Sequence, residues 1–328
     1  MTENQSSKVT APSNAPDKLT RLIRRFAANL AAFRPDLAGR FACPLCWRLF
    51  AETDTALLSI EHAVPYSVGG RIEVVTCKSC NNTMGSLIDA QLKRQIEMQA
   101  YFDGKLSSPV RNRVFASGLS ATADVTIQND GDTLIVDVAL LRELSNPQHF
   151  DSVLATAAQT PAPLGFDLDS RAKPDVRKAR LALLKSAYLL MFHYFGYAYV
   201  AADPAKIVHQ QLTHAQDDII PLSVAVCPIP DTHTIAGVAV ITQPVHLSCF
   251  LIPIVATASG VTFHFGVVLP GYLAPDETYP RWNVEASNSA SADVKMRCFQ
   301  PPPEIVLTPT TDTLPVTIWN DAIEAASV

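Results

Sequence analysis

The sequence predicts an α+β fold: a small N-terminal module pinned by cysteines, then a mixed α/β C-terminal domain with a mainly antiparallel sheet and one long helix. Three observations carry that expectation. Two cysteine pairs, Cys43-x-x-Cys46 and Cys77-x-x-Cys80, bracket short apolar runs. Residues 175–200 hold the longest helical pattern in the chain. Between 221 and 269, β-branched runs alternate with turn residues. With 328 residues, 48% hydrophobic and 17% charged, the chain is long and apolar enough for two folded domains.

The elements follow in order. Residues 1–17 are polar and rich in Ser, Asn and Pro, which reads as a disordered tail and not as a signal peptide. Residues 18–104 form the cysteine module, opened by an amphipathic helix over 19–34. Its apolar face is Leu19, Leu22, Ile23, Phe26, Leu30 and Phe33, and Pro35 ends it. Residues 57–60 read as a strand running into Glu61-His62. Met84, Leu87, Ile88, Leu92, Ile96 and Met98 give 81–102 a helical face, so the local order is strand, loop, strand, helix. Residues 105–328 form a second domain with a sensing, partner-binding or oligomerising role. Within it, 123–141 alternates as a hairpin around Asn129-Asp130-Gly131-Asp132, 147–174 reads as irregular, and a shorter helix covers 205–215. The tail after Tyr272 shows no pattern.

Charge divides the chain. Residues 18–113 carry 14 Lys+Arg against 8 Asp+Glu; residues 114–328 carry 11 against 21. A basic N-terminal third suits a polyanion partner. Arg21, Arg24 and Arg25 on the first helix, and Arg71 and Lys78 near the cysteines, are the candidate nucleic-acid contacts, each weighed against an ordinary solvated charge. No stretch reaches the roughly 18 apolar residues of a membrane span. Without an export signal the expected location is cytoplasmic, where paired cysteines bind metal more often than they oxidise.

Four thiolates at these spacings suit a tetrahedral structural Zn²⁺. Between them lies Glu61-His62-x-x-Pro65, then Gly69-Gly70; directly after Cys80 come Asn81 and Asn82. Glu61 offers a carboxylate oxygen to a hard divalent ion, and a neutral His62 accepts a proton from water near pH 7. Asn81 or Asn82 supplies an amide oxygen. Elsewhere, Cys227, Cys249 and Cys298 read as isolated thiols and His193 as a core histidine. His209, His214, His246 and His264 have no evident partner, and there is no P-loop or GxGxxG.

The pattern CxxC, EHxxP, GG, CxxCNxxxG over residues 41–89 resembles the zinc-stabilised branch of the HNH endonucleases, the ββα-metal nucleases. The resemblance implies a metal-dependent endonuclease acting on DNA. His62 would be the general base, Glu61 and Asn81 (Asn82 if the register slips) the ligands of Mg²⁺ or a similar ion, and Cys43, Cys46, Cys77 and Cys80 the structural zinc ligands. It also implies a setting in bacterial or phage defence, where such modules are fused to sensing domains. One position departs from the pattern: Ile72, beside Glu73, stands where the family places an asparagine that braces the histidine loop. The alternatives are an inactive zinc-stabilised nucleic-acid reader and a structural or assembly protein.

Overall fold

The computed structural model describes residues 17–300 apart from 107, 132, 160–164, 169–172, 231–236 and 289–292, together with 315 and 320. The expected tail, except Asp17, lies outside the described residues.

Helix α1 (Lys18–Phe33) is capped by Asp17, whose Oδ1 accepts from Thr20 N at 2.7 Å. It buries Ile23, Phe26, Ala27 and Leu30, the stripe its 3.6-residue period puts on one face. Strands β1 (Arg40–Ala42) and β2 (Leu49–Ala51) form a short hairpin around Cys43 and Cys46. Strands β3 (Leu58–His62) and β4 (Glu73–Cys77) pair antiparallel, with Leu58 opposite Cys77 at one end and His62 opposite Glu73 at the other. From Cys77 the chain turns into α2 (Lys78–Met84), a π-helical turn (Gly85–Asp89) and α3 (Ala90–Phe102), a nearly continuous helical run. The strand, loop, strand, helix order is as expected.

The next sheet has the order β7-β6-β5-β8, from β5 (Val110–Ala116), β6 (Leu119–Asn129), β7 (Leu134–Leu140) and β8 (Gly165–Leu168). Helix α4 (Pro147–Ala157) packs on it, and Tyr101, Val114, Val125 and Val153 share its small core. The segment 147–174, expected to be irregular, therefore holds a helix and a strand. Asn146 caps that helix by accepting from Gln148 N and His149 N, with Pro147 at its first position.

Helix α5 (Val176–Phe195) is buried on nearly every side from Leu181 onward. The helical pattern expected over 175–200 breaks at Gly196 (φ 57, ψ −137), a conformation reserved for glycine, before α6 (Tyr197–Val200). Helix α7 (Asp203–Thr213), α8 (Leu222–Ala225) and an antiparallel sheet follow. That sheet has the order β13-β10-β11-β12-β9, from β9 (Val226–Pro228), β10 (Val238–Gln243), β11 (Cys249–Ala258), β12 (Val261–Pro270) and β13 (Lys295–Phe299). Helix α9 (Thr278–Asn288) and β13 organise part of the tail that showed no pattern.

One core runs from α1 and β3–β4 through α5 to β10, β11 and β12, joining Phe26, Val74, Leu92, Tyr188, Phe192 and Phe250. Helix α5 lies between the strand pair and this sheet, touching α3, β4, β11 and β12. Among the described residues no helix is long and apolar enough to cross a membrane.

Candidate active site and metal centre

The β3–β4 pair carries a different chemistry at each end. At the Leu58–Cys77 end, the Sγ atoms of Cys43, Cys46, Cys77 and Cys80 lie within 4.8 Å of one another. Zn–S bonds of about 2.3 Å at tetrahedral angles set sulfurs about 3.8 Å apart. Cys46 Sγ and Cys77 Sγ stand at that spacing, 3.8 Å apart, so the four donors are of the type and closeness that suit zinc. Backbone holds the sulfurs as well: Cys77 N donates to Cys43 Sγ and Cys80 N to Cys77 Sγ, both at 3.4 Å. Hydrogen bonding from the Cys43 thiol lowers Cys46 to about 6 and Cys77 to about 5, while the surrounding thiols push Cys43 up. Cys46 and Cys77 thus already favour the thiolates a metal requires. Tyr188 donates to Pro44 O at 3.0 Å and Tyr197 Oη to Ala42 O at 2.5 Å, so α5 and α6 brace this end.

At the other end, Glu61, His62 and Asn81 line one cleft of about 580 Å³, with Tyr66, Asp89, Lys93, Arg94 and Glu97 on its walls. Strand alternation turns Glu61 inward, 4% exposed, and His62 outward, its side chain 30% exposed. Asn81, in the first turns of α2 directly behind Cys80, donates its Nδ2 to Ile60 O (3.1 Å) and Ser59 Oγ (3.0 Å). Those bonds fasten the helix start to β3, and no donor among the described residues meets Asn81 Oδ1. Lys185, fully buried on α5, donates to Glu61 Oε1 at 3.0 Å and to Asp89 Oδ2 at 2.6 Å. Glu61 Oε2 and Asp89 Oδ1 are buried without a partner. Burial pushes both carboxyls up, against the pull of Lys185. A bare carboxylate oxygen on Glu61 and an amide oxygen on Asn81, from two residues that line the same cleft, are donor types suited to a hard divalent ion.

The loop between His62 and Glu73 is held without the family's asparagine. Ala63 N donates to Ile72 O at 2.8 Å and Gly70 N to Pro65 O at 3.2 Å, while Ile72 packs its side chain on the core. A Cβ on Gly70 would lie 1.7 Å from Val64 O, so only glycine permits this close approach. Glu73 Oε1 lies 3.8 Å from His62 Nε2, and its other oxygen pairs with Lys18 at 2.5 Å. His193 on α5 donates from Nδ1 to Glu73 O at 3.1 Å.

The remaining expected contacts are spread out. Asn82 is exposed and does not line the cleft, nor do Lys78, Arg21 and Arg24, which are solvent-facing. Arg71 stacks over Tyr66 at 4.6 Å, beside the cleft. Arg25 turns inward and donates to His193 O at 2.9 Å, because the apolar stripe of α1 carries it against α5. The cleft's own cations, Lys93 and Arg94, went unnoticed in the sequence, as did Asp89 and the partnership of Lys185. A single charge inside LALLKSAYLLMF was the available signal for the last: a lysine is buried there only with acidic partners.

A strand pair and helix closed by four sulfurs, with a Glu-His at the strand end and an asparagine on the helix, define a ββα-metal module. Residues 43–97 match the family model described as HNH endonuclease, and this part of the chain is a four-cysteine HNH domain. No curated protein and no solved structure matches the chain.

Proposed function

We propose that the protein is a metal-dependent endonuclease of the HNH type that hydrolyses phosphodiester bonds in DNA. The observation that carries this reading is the convergence of Glu61, His62 and Asn81 on one cleft within the HNH-matched segment. His62, on the cleft wall, takes the proton of the attacking water. Glu61 and Asn81 would hold Mg²⁺ or a similar divalent ion, which would supply positive charge for the scissile phosphate and the leaving oxygen. Glu73 faces His62 across the strand pair and keeps its imidazole oriented. Lys93 and Arg94 on the rim, with Arg71 beside it, receive the flanking phosphates. Zinc at the four cysteines is structural, fixing Asn81 against β3. Residues 105–328 serve a sensing or partner-binding role in genome defence, by analogy with fused nuclease modules.

The test is nicking of supercoiled plasmid DNA with Mg²⁺ or Mn²⁺. Wild type should cut, and His62→Ala should lose on the order of 10²-fold or more in rate, the usual contribution of a general base. A wild type inert with every metal, yet still shifting DNA on a gel, would replace the nuclease with a nucleic-acid reader.

A further inference from the structure

Helix α5 lies well outside the HNH-matched segment 43–97, yet it places a fully buried lysine against the candidate metal ligand. The shorter contact of Lys185 goes to Asp89 (2.6 Å), which anchors the ammonium; the longer goes to Glu61 (3.0 Å). Glu61 is therefore gripped by one oxygen, with its other oxygen buried and bare. Asp89 sits in the π-helical turn, whose wider winding separates the Asn81 helix from α3. We infer that Lys185 and Asp89 form the positioning device of the metal site, fixing the Glu61 carboxylate so that Oε2 is presented to a divalent ion in the cleft. The inference rests on the metal-dependent nuclease reading and adds to it two residues, one of them from the C-terminal part of the chain.

A purely structural ion pair would have a different signature. Replacing a buried ion pair by apolar groups of similar volume is commonly tolerated by a fold. Removing the partners that orient a metal ligand weakens metal affinity by about 10–100-fold. The experiment uses the full chain and the double variant Lys185→Met/Asp89→Leu, which removes both members of the pair together and leaves Glu61 as the one buried carboxylate of the cluster. Mn²⁺ binding is read by electron paramagnetic resonance, the Mn²⁺ dependence of nicking by kinetics, and folding by thermal melting and zinc content.

Wild type is expected to bind one Mn²⁺ that Glu61→Gln abolishes. The double variant should retain zinc and a cooperative melt, bind Mn²⁺ about 10–100-fold more weakly, and regain most of its rate at saturating Mn²⁺. A folded double variant with wild-type Mn²⁺ affinity and metal dependence overturns the positioning role and leaves the nuclease intact. If the double variant does not fold, Asp89→Asn carries the test: it loosens the anchor of Lys185 and should weaken Mn²⁺ in the same range, and unchanged affinity overturns the inference. Glu61→Gln binding Mn²⁺ as well as wild type overturns the metal-site reading itself, a result distinct from the other two.

Discussion

The two ends of the β3–β4 pair are both polar clusters inside an apolar surround, and they are built in opposite ways. The zinc end draws four sulfurs from two pairs that are close in sequence, and backbone amides hold the sulfurs in place. The cleft end joins Glu61 and Asp89 through a lysine 124 and 96 residues away. The first cluster is arranged to take a metal from residues close in sequence, and the second needs the rest of the chain. Local spacing is enough to build a scaffold, whereas the chemical end is set by tertiary packing.

Removing zinc is the harshest way to test that contrast. Structural zinc contributes on the order of 10 kcal/mol of apparent binding free energy. A strong chelator, or Cys77→Ser with Cys80→Ser, should therefore unfold the module, seen as a large drop in melting temperature together with release of one Zn²⁺ per chain. A melt unchanged by the loss of zinc would mean that packing against α5 holds this end as well. The corresponding blow at the cleft end is Lys185→Met alone, which leaves two buried carboxylates facing each other. Breaking a buried ion pair on one side costs about 3–5 kcal/mol, and urea denaturation should show it with zinc still bound.

A third, smaller effect belongs to α5 itself. Burial lowers His193 to about 4, aided by the Arg25 guanidinium. The unfolded chain then takes up a proton near pH 6.5 while the folded protein resists it. Stability is full above pH 6.5 and falls as pH drops toward 4, by roughly 3 kcal/mol. His193→Gln, which still donates to Glu73 O, should remove this portion of the acid sensitivity. Equal acid dependence in wild type and variant would show that the imidazole is not the group responsible. The smallest change is Tyr197→Phe, which removes a hydroxyl that both accepts from Ala42 N (3.1 Å) and donates to Ala42 O. It should cost about 1–3 kcal/mol in denaturant unfolding and leave zinc stoichiometry at one.

The same contrast explains what was legible in the sequence. The cysteine pairs, Glu61-His62 and Asn81 form a linear pattern, and the structure gathers them as that pattern implies. The hairpin over β6 and β7 was readable from its alternation and turn, and α1 from its 3.6-residue period. Helix α4 was hidden by its Pro- and Ala-rich setting, although Asn146-Pro147 is a sound helix start. The π-helical turn at Gly85–Asp89 leaves no mark in a helical pattern, since it shifts the face by a single residue. Lys185 could be noticed as one charge in an apolar run, but nothing local names Asp89 and Glu61 as its partners. His193 reads in the sequence as a core histidine, but nothing local shows that it and Lys18 meet at Glu73.

The position of Lys185 also bears on how such a protein can be inherited. Exchange of gene segments anywhere between residues 98 and 184 would unite the carboxylates of one parent with the long helix of another. A chimera whose incoming helix lacks the lysine would keep every residue of the HNH-matched segment and still leave two buried acids without their shared cation. The two parts of the gene are thus bound to travel as matched versions, and a lineage that changes one must change the other with it.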